Sequence, residues 1–136
     1  MRILVADDHA LVRETIAAFL SFEGDSEVST AGSLAEALEA VKKQGSFDLV
    51  LLDYNMPGMD GLAGLQKMIA ANENRPVAIL SGSAPGMLAE EAIEAGAAGY
   101  IPKTLASKSM ISAARFMAAG EIFAPLSFKR QRSDNS

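Results

Sequence analysis

Asp53 stands directly after the apolar run Leu49–Leu52, inside the string FDLVLLDYNMPGMDG. A carboxylate at the carboxyl end of a buried strand is placed to act on solvent or a ligand. A second acidic pair, Asp7-Asp8, follows the first apolar run, RILVA. These carboxylates converge on one rim and make a hard-oxygen site suited to a small divalent cation such as magnesium. Ser81 follows a run from Val77 to Leu80, and Lys103 follows Tyr100-Ile101. The combination points to phosphate chemistry. Magnesium offsets the negative charge of the acids and of an incoming phosphoryl group. A carboxylate can attack phosphorus and form an acyl phosphate. Lysine can pair with one phosphoryl oxygen, and a serine hydroxyl can donate to another.

Alternating strands and helices must position these groups. Ile3 to Ala6 reads as the first strand. Leu11, Val12, Ile16, Phe19 and Leu20 recur at helical spacing over Ala10 to Phe22. Glu27 to Thr30 is a short polar strand expected at an edge. Ser33 and Glu36 form a capping box that opens a helix carrying Leu34, Ala37, Leu38 and Val41, and Gly45 ends it. Leu49 to Leu52 suits a central parallel strand covered on both faces. Asp60 is expected to cap a third helix with Leu62, Leu65 and Ile69 on one face. Val77 to Leu80 is the fourth strand, and Leu88, Ala92 and Ile93 mark the fourth helix. Tyr100-Ile101 is the fifth strand, before a last helix from Leu105 to Ala119 carrying Ile111, Ala114 and Met117. Such alternation implies a parallel α/β sheet with helices on both faces, and sites at the carboxyl ends of its strands.

The bulk numbers exclude several classes. At 136 residues and 49% apolar, the chain fits one domain with its own core. It has no cysteine, so disulfides and thiolate metal sites are ruled out. No apolar run reaches the roughly 18 residues of a membrane span. No charged-then-apolar leader opens the sequence. A cytoplasmic location without membrane contact is expected. The net charge of −5 makes the domain itself a poor nucleic-acid binder.

The early D-D pair, D-x-x-M-P-G-M-D-G, L-S-G and A-A-G-Y-I-P-K, in this order, resemble a response-regulator receiver domain of two-component signalling. The resemblance covers residues 1–125, nearly the whole chain. D-D-H-A-L-V-R-E and G-Y-I-P-K-T resemble in particular the receivers of LuxR-type (FixJ/NarL-like) regulators, which carry a C-terminal helix-turn-helix domain. The resemblance implies a flavodoxin-like (βα)5 three-layer sandwich with strand order 2-1-3-4-5. Residues 126–136, with Lys129, Arg130 and Arg132, are expected to be a linker or tail. No effector domain is expected in the chain, which is either an excised receiver or a stand-alone one. The basic tail favours the first.

The resemblance assigns roles residue by residue. Asp53 matches the phosphoacceptor and Asp8 a direct magnesium ligand. Asp7 matches the acid that acts through water, and the backbone carbonyl of Asn55 matches the third protein ligand. Ser81 matches the switch hydroxyl, Lys103 the phosphoryl-binding lysine and Tyr100 the aromatic that swings inward on activation. Asn55 and Ser83, each two residues past a site residue, are expected to tune the lifetime of the phosphorylated state. The implied partners are a histidine kinase, a second copy of the chain on phosphorylation, and DNA only through an effector domain. The face of the fourth helix, fifth strand and fifth helix carries the output. One departure is that Thr104, not proline, follows Lys103, which leaves the isomer of that peptide bond open.

Blander readings compete with each role. Asp8 could only cap the first helix. Ser81 could shape a turn, Lys103 could be solvated, and Tyr100 could be an ordinary core residue. His9, the one histidine, reads as a solvent-facing residue at a helix start. A phosphohydrolase of the haloacid-dehalogenase type would use an aspartate nucleophile in the same setting. It needs a second acid two residues on, where this chain has Asn55, which cannot exchange a proton in that role. A receiver used only as an interaction module is the remaining alternative. A flavodoxin-like electron carrier is disfavoured, because the acidic trio would repel a flavin phosphate.

Overall fold

The computed structural model describes residues 1–23, 25–82 and 86–124. The chain alternates β1 (Arg2–Ala6), α1 (Ala10–Ala18), β2 (Glu27–Ala31), α2 (Leu34–Gln44) and β3 (Leu49–Asp53). It continues through α3 (Leu62–Ala71), β4 (Val77–Ser81), α4 (Gly86–Glu94), β5 (Tyr100–Pro102) and α5 (Ser107–Ala118). All five strands pair in parallel, in the order β2-β1-β3-β4-β5. This is the flavodoxin-like receiver topology.

Every residue of β3 and β4 is buried, as their continuous apolar runs require of strands covered on both faces. Polar β2 lies at the edge, where only Ala31 is buried. Alternation along β1 divides the core in two. Leu4 and Ala6 pack with Leu34, Leu65 and Ala89, so α2, α3 and α4 cover one face. Ile3 and Val5 pack with Ile16, Met110 and Ala114, so α1 and α5 cover the other. Each fully buried aliphatic side chain contributes about 1.5–3 kcal/mol of transfer free energy.

Local signals explain most element ends. The Ser33 hydroxyl accepts the Glu36 N–H at 3.2 Å, and the Glu36 carboxylate reaches back to the Gly32 N–H at 3.2 Å. Gly45 closes α2 at φ +84°, a backbone conformation that favours glycine.

Three expectations are corrected. The first helix gives way at Phe19–Glu23 to a π-helical turn, which keeps Leu20 buried while Phe22 is 85% exposed. Leu11 is 79% exposed, because it falls outside the Ile16–Leu20 stripe that meets the sheet. Asp60 does not cap α3. Its own φ is +50°, Gly61 occupies the N-cap position, and no side chain caps that helix.

After α5 the chain turns at Gly120 and returns along the outer side of β5. Phe123 donates to the Ala98 carbonyl at 2.9 Å and accepts from the Tyr100 N–H at 3.1 Å. Gly99 permits this approach, since a Cβ there would sit 2.6 Å from the Phe123 carbonyl oxygen. The returning segment pairs an edge that would otherwise be open.

Candidate functional site

The carboxyl ends of β1, β3, β4 and β5 form one rim. Asp7 directly follows β1, where its N–H donates to the Ala31 carbonyl at 3.0 Å. Asp53 is the last residue of β3 and sits beside Leu80 in register, so Ser81 lies one residue further along the neighbouring strand. Ser81 pairs with Pro102 and accepts the Lys103 N–H on its carbonyl at 2.9 Å, which fixes where the lysine leaves the sheet. The Lys103–Thr104 bond is trans, as are all described peptide bonds.

The side chains then meet. Lys103 Nζ lies 3.0 Å from Asp7 Oδ2 and 3.1 Å from Asp53 Oδ2. Asp7 and Asp53 are essentially buried, at 0% and 1% exposure. Asp53 Oδ1 accepts the Asn55 N–H at 3.2 Å, and Asp7 Oδ1 accepts the His9 N–H at 2.9 Å. Asp8 is more open and does not cap α1, whose N-cap residue is His9 and has no side-chain cap. Ser81 is buried at the rim. Tyr100 is wholly buried in the core cluster that α4 joins. Ser83 and residues 126–136 lie outside the described residues.

Electrostatics separate the two buried acids. Burial acts to raise Asp7, but the His9 N–H and then Lys103 outweigh it and hold this carboxyl below its ordinary value. Burial pushes Asp53 up; the Asp7 charge adds to that, and Lys103 and the Asn55 N–H offset only part. Burial acts to lower Lys103, yet its contacts with Asp7 and Asp53 raise it, so the ammonium stays charged. Asp7 therefore holds its charge more firmly than Asp53.

The sequence reading missed one residue at the site. The His9 ring is 65% exposed, as expected of a solvent-facing residue, but its Nδ1 points inward. It lies 3.2 Å from Asp7 Oδ1, 3.4 Å from Asp8 Oδ1, 4.0 Å from Asp53 Oδ2 and 3.5 Å from Lys103 Nζ. Its neighbours Asp7 and Asp8 are local in sequence, but its approach to Lys103 spans 94 positions of chain.

The profile of the family described as response regulator receiver domain matches residues 3–115. The chain belongs to that family. Over 126 residues it is 37% identical to the glycerol metabolism activator of Pseudomonas putida, matching 91% of this chain and 57% of that protein. The chain thus spans little more than half of that relative. A LuxR family DNA-binding response regulator from Silicibacter pomeroyi is 31% identical with a TM-score of 0.80, over 93% of this chain and 98% of that one. A response regulator from Burkholderia pseudomallei, solved with a phosphorylated aspartic acid and a calcium ion, is 25% identical with a TM-score of 0.73. That match covers 87% of this chain and 68% of that one.

The receiver is a signalling domain. Receiver domains generally bind Mg2+ at an acidic pocket, and this receiver's rim fits one. Asp7, Asp8, His9 and Asp53 offer ligand atoms within 4.8 Å of one another. Asp7 Oδ2 and Asp53 Oδ2 are buried, and both face the single ammonium of Lys103, at 3.0 and 3.1 Å. Three acids facing one ammonium leave the rim net negative, which favours a further cation.

Proposed function

We propose that this receiver accepts a phosphoryl group from a histidine kinase onto Asp53 and so controls an output surface. The observation that carries this reading is the placement of Asp53. It is a buried carboxylate at a strand end, with Oδ2 3.1 Å from Lys103 Nζ and two further acids on the same rim. The Burkholderia relative's phosphorylated aspartic acid supports it.

Asp7, Asp8, Asp53 and the Asn55 carbonyl would hold Mg2+. The ion, when bound, neutralises charge on the acids and the incoming phosphoryl group. An Asp53 oxygen attacks phosphorus as the bond to the kinase histidine breaks, and the electron pair leaves with the imidazole nitrogen. The chain thus takes part in its own phosphorylation and later hydrolysis, with no separate substrate. The modified side chain carries about −1.5 to −2 charge near neutral pH. Lys103 pairs with one phosphoryl oxygen and the Ser81 hydroxyl donates to another. Drawing Ser81 inward moves the start of the segment after β4, and the buried Tyr100 fixes the altered position. Asn55 and Ser83, each two residues past a site residue, tune the lifetime of the phosphorylated state.

The α4-β5-α5 face carries the output, read by a partner or by a second copy of the chain on phosphorylation. Residues 1–125 form the receiver and 126–136 a linker towards a LuxR-type helix-turn-helix domain, which would act on DNA in the cytoplasm. Among the described residues no helix is long and apolar enough to cross a membrane.

Intact-protein mass after incubation with acetyl phosphate tests the core of this reading. One phosphoryl adduct is expected in the wild type with Mg2+ and none with Asp53→Ala. A variant that labels at normal stoichiometry would show that another residue is the acceptor.

A further inference from the structure

We propose that His9 acts directly in phosphoryl transfer: its ring Nδ1–H donates to a phosphoryl oxygen as that group arrives at Asp53 and as it leaves. The inference rests on the reading of Asp53 as the phosphoacceptor. It adds a third donor to Lys103 and Ser81.

The position of the ring carries the argument. His9 lies between β1 and α1, yet its Nδ1 stands 4.0 Å from Asp53 Oδ2 at the end of β3 and 3.5 Å from Lys103 Nζ after β5. A phosphoryl group formed on Oδ2 holds its free oxygens two bonds beyond that atom. One of them then comes within hydrogen-bond reach, ~2.7–3.2 Å, of a nitrogen now 4.0 Å from Oδ2.

The buried acid Asp7 aims the ring. Its Oδ1 takes the His9 backbone N–H at 2.9 Å and meets the ring Nδ1 at 3.2 Å. Nδ1 faces carboxylate oxygens of Asp7, Asp8 and Asp53, so it is the nitrogen that carries the proton. Lys103 does not compete for that role, because its ammonium has closer partners in Asp7 Oδ2 and Asp53 Oδ2, at 3.0 and 3.1 Å. Helix capping does not explain the ring either, since the His9 side chain makes no cap bond.

The transition state of phosphoryl transfer spreads charge over the three equatorial oxygens, and a fixed N–H aimed at one of them lowers the barrier in both directions. With acetyl phosphate as donor, an Asp53 oxygen bonds to phosphorus as the bond to acetate breaks, and acetate leaves with the electron pair. In hydrolysis, a water oxygen bonds to phosphorus, the bond to Asp53 breaks with its electron pair returning to the carboxylate, and the water's proton goes to solvent. His9 keeps its proton throughout.

Intact-protein mass follows both rates with Mg2+ in excess: labelling by acetyl phosphate, and loss of the group once the donor is removed. The full chain is compared as wild type, His9→Ala and His9→Asn. Both rates are expected to fall at least about fivefold in His9→Ala, less than for an enclosed donor because the ring is largely open to water. His9→Asn offers an amide N–H near the place of Nδ1 and should stay within about threefold of wild type. In the wild type with Mg2+, the Nδ1 resonance should move on adding beryllium trifluoride, a tetrahedral mimic of the phosphoryl group. His9 is the only histidine, so that signal has one source, and it stands whether or not the variants fold. Equal rates in wild type and His9→Ala, or an Nδ1 signal that the mimic leaves in place, overturns the proposal. So does His9→Asn as slow as His9→Ala, which would mean that the ring only shapes the pocket. A wild type that takes no adduct and binds no mimic overturns the phosphoacceptor reading itself, and this proposal with it.

Discussion

Aspartate takes opposite roles in this chain according to what meets its oxygens. Asp53 is buried beside a second acid, and its carboxyl is pushed up. Asp48 shows the other limit. Its Oδ2 accepts the Arg2 N–H at 2.7 Å, and its Oδ1 pairs with the Arg75 guanidinium. The Arg2 N–H, ahead of the Arg75 charge, holds Asp48 below its ordinary value against a modest burial cost. A depressed carboxylate stabilises the fold above its unfolded pKa of 3.8, and the benefit disappears as pH falls through the lower folded value. Asp48→Ala is therefore expected to cost about 1 kcal/mol at pH 7 by urea unfolding, reduced from the buried value because the side chain is partly open to solvent. The gap from wild type should narrow at pH 3; a gap that is constant or wider there would refute the assignment. Residues such as Asp53 and Lys103 were legible in the sequence because each ends an apolar run that fixes its direction. His9 was not, since its approach to Asp53 and Lys103 depends on which strands lie side by side.

Elements were legible wherever a chemical signal and a hydrophobic period agreed. α2 had both, in Ser33, Glu36 and Gly45, and its start and end fall where they predict. The first helix had a period that runs unbroken to Leu20, so the change to a π-helical turn at Phe19 was invisible in it. Asp60 offered a cap signal, but the bend before α3 puts that residue in a left-handed conformation and moves the N-cap to Gly61. Asn72 was missed because its partner lies 25 residues earlier. Its Oδ1 accepts the Phe47 N–H at 2.7 Å, and its Nδ2 donates to the Phe47 carbonyl at 3.1 Å. It thus ties the end of α3 to the entry of β3, the strand that delivers Asp53. Asn72 is fully buried, so Asn72→Ala leaves two backbone groups without partners and should cost ~2–4 kcal/mol. A loss under about 0.5 kcal/mol in chemical denaturation would show that water replaces the side chain.

At the scale of the molecule, the rim joins what the cores divide. Two hydrophobic clusters sit on opposite faces of one sheet, and each depends on the same strands. The site acids come from the ends of β1 and β3, and Lys103 from the end of β5. An ion held by Asp7, Asp8 and Asp53 acts on both layers at once, because β1 and β3 carry residues of both. Unfolding scatters these ligands, so binding is coupled to the global transition. Mg2+ at 100 times its dissociation constant should stabilise the folded state by about 2.7 kcal/mol. Far-UV circular dichroism and tyrosine fluorescence should report the same shift of the urea midpoint, since Tyr54 and Tyr100 belong to one of the two clusters. Asp53→Asn removes a ligand charge and should shrink the shift, even though it relieves the repulsion from Asp7. Midpoints that separate between the two probes would mean that the layers unfold independently. A Mg2+ shift of equal size in Asp53→Asn would place the ion away from this rim.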